Sequence, residues 1–202
     1  MPPDKLVASV DQFFSLDRIH RINRVNPLIK NSRAMISKTT YIYGFFLVLA
    51  ASFLQQVLTF ANKIFGENNI KIIFYLMCLI GVCFLLFRII NNHLDFKHIL
   101  VIVTTLTFSW FLISVQQFFG EKTHVILYGI LGYITIQDIY KKNIGTFRAL
   151  LYTGCFTFLI SFLDEIFQAI LPYRVGEVRD ILTNILSIGV GISVYFGLKR
   201  NP

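Results

Sequence analysis

The chain has 202 residues, of which 55% are hydrophobic, 21 are Phe and only 15% are charged. A single soluble domain of this length has no core large enough to hide so much apolar surface, so the composition selects an integral membrane protein. The net charge of +8 does not point to nucleic acid, because the basic residues are not interleaved with stacking aromatics and collect instead where cytoplasmic flanks would lie.

Residues 1–40 read as a basic cytoplasmic segment without a spanning run. Within it Leu6, Val10, Phe13, Phe14 and Ile22 recur at roughly helical intervals among Arg18, Arg21 and Arg24. That pattern suits an amphipathic helix on an anionic leaflet, or a solvated tail with one loosely packed helix. Pro27 ends or kinks whatever helix precedes it, and no signal-peptide pattern opens the chain. Cys78, Cys83 and Cys155 all fall in apolar runs, which supplies neither a disulfide framework nor a zinc spacing.

Six apolar segments follow, near 41–61, 70–90, 98–119, 122–140, 147–171 and 177–198. Each approaches the roughly 20 residues that cross a hydrocarbon core of about 30 Å. Continuous apolar runs without alternation select helices over a barrel, so the expected fold is an all-α transmembrane bundle of six spans. Short connections predict that sequential helices are antiparallel neighbours. With the N-terminus inside, fourteen of the Lys and Arg residues fall on the cytoplasmic side. The outer side keeps five, Lys63, Lys71, Lys122, Arg174 and Arg179. That bias predicts both termini inside.

The polar residues inside these spans are concentrated at one end. Glu165 and Gln168 are three apart on the fifth segment, and Asp180 and Asn184 four apart on the sixth, so each pair shares a helix face. Lys122, His124 and Tyr128 open the fourth. Pro172 and Arg174 lie in the turn between the fifth and sixth. If the three helices adjoin, these residues make a polar pocket open to the outside, with Asn184 and Tyr128 roughly 10 Å inside their helix starts. Such a pocket suits an anionic lipid headgroup: Lys122 and Arg174 supply positive charge, Arg with a bidentate fork, and the sixth helix adds free backbone donors. The alternative is that the same residues only pin three helix ends together by interhelical hydrogen bonds. No G-x-S-x-G, H-E-x-x-H, Walker A or G-x-G-x-x-G pattern occurs, and no metal or cofactor is expected. His93 and His98 read as interfacial polar residues.

At these positions the sequence resembles the VanZ-like family of bacterial membrane proteins, named for a teicoplanin-resistance protein. The family pattern is Glu, Gln three on, Pro, Arg six after the Gln, Asp six after the Arg and Asn four after the Asp. Glu165, Gln168, Pro172, Arg174, Asp180 and Asn184 meet every spacing, and Lys122, His124 and Tyr128 are similar to an upstream Lys, His, Tyr signature. The chain departs from the pattern in three places. Lys122 stands two residues before His124 where the family usually shows three, Tyr173 stands where Gly commonly precedes the Arg, and Ser187 replaces the first Gly of a small-xxx-small pair with Gly191. The resemblance covers residues 98–202 as a four-helix domain and leaves 41–97 as two additional helices. It implies a protein of the bacterial cell membrane that acts at the outer leaflet on cell-envelope precursors, or on glycopeptide access to them. Three readings stay open: a module binding the headgroup of a lipid-linked anionic precursor; a membrane enzyme acting on a lipid phosphate, with Glu165 or His124 as general base; and a structural partner of another envelope protein.

Overall fold

The computed structural model describes residues 35–171 and 178–199, so the proposed N-terminal amphipathic helix, Pro172 and Arg174 lie outside the described residues. Residues from Ile36 onward form one compact unit. The described residues are all-helical: α1 Lys38–Phe65, α2 Glu67–Asn91, α3 Phe96–Val115, α4 Phe119–Tyr140, α5 Thr146–Ile170 and α6 Val178–Leu198. Four of them, α2, α3, α5 and α6, are long and apolar enough to cross a membrane. Helix α4 carries Glu121, Lys122, His124 and Asp138, yet it is the centre of the bundle, packed by α1, α3, α5 and α6. A helix surrounded by helices need not present apolar side chains to lipid. The lipid-compatible surface lies outside it, most fully on α2, where only Phe74 is buried and Ile72, Leu76, Ile80, Phe84, Phe87 and Ile90 are exposed.

The six helices match the expected apolar segments, with one informative difference. The third was expected to run to Phe119 but ends at Val115, where Gln116 turns extended at φ −71° and ψ 128°. Leaving the helix lets the buried Gln116 donate from Nε2 to Thr183 Oγ1 on α6 at 3.1 Å. One interhelical bond thus accounts for the early stop.

The sequential-neighbour expectation holds only in part, because α6 inserts between α3 and α4 and makes its closest packing with α4. The reason is steric. A Cβ at Gly191 would overlap the carbonyl oxygen of Gly129 and stand 2.8 Å from the Tyr133 nitrogen, and one at Gly132 would overlap the Ile188 carbonyl. Buried Ser187, one turn before Gly191, keeps the rest of that α6 face small. Small residues let two backbones touch, which is how membrane helices associate without a hydrophobic driving force. Helix α1, with Ile36 just before it, adds a stripe of Ile36, Thr40, Gly44 and Leu47 against α4 and α5.

Gly191→Ala should therefore cost about 1–3 kcal/mol by overpacking, read as a lower melting temperature in detergent. Gly189→Ala, one turn face away where a Cβ meets nothing within 4 Å, should melt like the parent. Equal melting of the two variants would contradict the close α4–α6 crossing.

Candidate functional site

Three helices deliver polar side chains to the end of the bundle where α4 and α6 begin and α5 ends. His124 sits one turn into α4, and its Nδ1 lies 3.3 Å from Asn184 Oδ1 on α6. The Asn184 amide donates onward to Ser161 Oγ on α5 at 3.1 Å. One fully buried asparagine therefore ties α4 to α5 through α6. Beside it the Tyr128 hydroxyl donates to Asp164 Oδ2 at 2.7 Å, a direct bond between α4 and α5. Asp164, Gln168, Asn184, Tyr128 and Ser161 are completely buried, and His124 and Glu165 nearly so. Two adjacent carboxyl groups deep in a membrane bundle are costly to keep, which marks the cluster as more than packing.

The sequence-derived set is brought together only in part. His124, Tyr128, Glu165, Gln168 and Asn184 lie in the buried cluster. Lys122 and Asp180 are half-buried, in the first turns of α4 and α6. Arg174 belongs to the undescribed connection between α5 and α6. A groove of about 330 Å³ runs between α3 and α6, lined by Thr104, Thr105, Phe108, Leu186, Gly189 and Ser193, and touches none of the cluster.

Ser161 and several pairings are not part of the sequence-derived set. Ser161 stands four residues before Glu165 and so shares its helix face; this spacing was available as a signal. Asp164, next to Glu165 in the chain, has no partner predictable from the sequence, since Tyr128 meets it only through α4–α5 packing. Gln116 and Thr183 pair across the α3–α6 junction. Arg179 Nη2 reaches Glu121 Oε1 at 2.5 Å, with Glu121 also accepting from the Phe118 amide at 3.4 Å, so one carboxylate holds the starts of α4 and α6 together. Because Arg179 is 44% exposed, this pair adds at most about 1 kcal/mol.

The two buried links have different expected strengths. Asn184→Ala removes both of its interhelical bonds, each worth about 0.6 to 2 kcal/mol in a membrane bundle. Tyr128→Phe leaves the Asp164 carboxyl without its 2.7 Å donor and should cost about 1–3 kcal/mol. Thermal melting in detergent checks both; a Tyr128→Phe variant as stable as the parent would show that this bond does not hold the helices.

Comparison with known proteins identifies the family. The VanZ/LLP1 family profile matches residues 72–199, beginning within α2 and covering α3 to α6 with every described residue of the cluster. No curated protein and no solved structure matches the chain. A match over more than half of the chain, containing the helices that build the buried cluster, means that this protein belongs to the VanZ/LLP1 family.

Proposed function

We propose that this membrane protein holds the phosphate or pyrophosphate headgroup of a lipid-linked cell-envelope precursor at the extracytoplasmic end of α4, α5 and α6. The observation that carries the reading is the buried cluster of His124, Tyr128, Asp164, Glu165, Gln168 and Asn184 at the helix ends that residues 172–177 join in sequence. Arg174 in that connection and Lys122 in the first turn of α4 provide the cations, and the buried carboxyl groups orient them. In this reading α1 and α4 also span the bilayer and both termini are cytoplasmic, as the excess of Lys and Arg on that side supports. Sequestering such a precursor, or altering glycopeptide access to it, would connect the site to teicoplanin susceptibility. The direct interhelical bonds also favour a second reading, in which the cluster is a helix clamp within an envelope assembly and holds no ligand.

Lipid content of the purified full chain, read by mass spectrometry, separates the readings. Arg174→Ala should reduce retained polyprenyl phosphate about tenfold, the loss of roughly 1.4 kcal/mol from a charge-assisted contact, with Arg174→Lys intermediate because it lacks the planar fork. Retention untouched by both changes would leave the clamp reading, and a retained lipid that is chemically altered in the parent but not in Glu165→Gln would make the protein an enzyme. Orientation is checked with single cysteines in a background without the native three. Cysteine at Phe118, which is 62% exposed, should react with an impermeant thiol reagent outside whole cells, and cysteine at exposed Asn143 should not. The reverse pattern would place the site on the cytoplasmic side.

A further inference from the structure

The buried face of α5 is polar along most of its length. Thr153, Thr157, Ser161, Asp164, Glu165 and Gln168 are all buried there. At 1.5 Å per residue they cover about 22 Å of helix axis, most of a hydrocarbon core about 30 Å thick. Helix α4 brings Tyr128 and Thr135 inward beside them and carries Asp138 near its far end. There Asp138 Oδ2 accepts from the Thr40 hydroxyl at 2.6 Å and from the Ser37 amide at 3.0 Å, with Lys141 as its charged neighbour. Ala, Leu or Ile would fill these positions without desolvation cost, so tight packing alone does not require such a seam.

Two of its hydroxyls stand apart from ordinary membrane threonines. Thr104, Thr105, Thr107 and Thr157 each donate to a carbonyl one turn back, which satisfies the hydroxyl within its own helix. Thr135 and Thr153 are fully buried, and their Oγ1 atoms have no hydrogen-bond partner among the described residues. An unsatisfied buried hydroxyl costs about 1–3 kcal/mol. Water bridging polar groups removes that cost, and hydroxyls with bridging water are what a proton relay uses.

We infer that this seam is a proton pathway between the two ends of the bundle. A proton enters at His124 or Glu165, passes to Asp164, moves along Thr157, Thr153, Thr135 and interposed water, and leaves through Asp138. Each step breaks one O–H or N–H bond and forms another, so the protein returns unchanged and only a proton has crossed. Leu47, Leu131 and Ile188 are buried together against Tyr128 of the seam. The pathway does not depend on the headgroup reading, because none of its steps uses Arg174 or Lys122.

The test is proton flux through the full chain in vesicles of phosphatidylcholine with a minor fraction of phosphatidylglycerol. A potassium gradient with valinomycin drives it, and an entrapped pH dye reads it. The parent should acidify the lumen faster than protein-free vesicles do. Thr153→Val and Thr135→Val, which keep shape and lose the hydroxyl, should each slow acidification roughly tenfold, whereas Thr153→Ser keeps the parent rate. Melting temperatures of the valine variants close to the parent's show that the fold is intact. A parent rate equal to that of protein-free vesicles, or valine variants that conduct like the parent, would overturn the inference.

Discussion

The backbone contact between α4 and α6 is the constraint on which the rest of this bundle depends. Gly129 and Gly132 face Ser187, Ile188 and Gly191 so closely that a Cβ at Gly132 or Gly191 has no room. In a bilayer the gain comes from dispersion between touching backbones, since lipid tails surround apolar side chains as well as another helix does. That approach brings Asn184 within 3.3 Å of His124 and leaves its amide free to reach Ser161 on α5. The polar cluster is thus a consequence of a contact made by residues with almost no side chain.

Much of this could be read from the chain. Helix positions followed from apolar run length, because the backbone in lipid has few alternatives. The shared faces of Glu165 with Gln168 and of Asp180 with Asn184 followed from helical spacing. Which helix lies against which did not follow, because chain order favours α3 beside α4 while the small residues of α6 bring it between them. The pairs created by that insertion, Gln116 with Thr183 and Glu121 with Arg179, are 67 and 58 residues apart and leave no local signal. Hydropathy also does not show that α4 is the centre of the bundle, with His124, Tyr128 and Thr135 buried among its neighbours.

Helix α1 lies outside the family match, yet specific bonds fasten it to the matched region. Thr40 and Ser37 meet Asp138, the Tyr43 hydroxyl donates to the Leu127 carbonyl at 3.0 Å, and Leu47 is buried against Tyr128, Leu131 and Ile188. A helix attached through so many directional contacts is part of the bundle, and its N-terminal turn completes the polar environment of Asp138.

The central claim is that an anionic lipid headgroup is held at the end of α4, α5 and α6, over the buried cluster. It is tested most directly by an experimental structure of the full chain in lipid nanodiscs with added polyprenyl phosphate. The account predicts phosphate density within hydrogen-bond distance of Arg174 and Lys122, at the end of the bundle where α4 and α6 begin and α5 ends. Polyprenyl density confined to the α3–α6 groove, with no phosphate near Arg174, would contradict it.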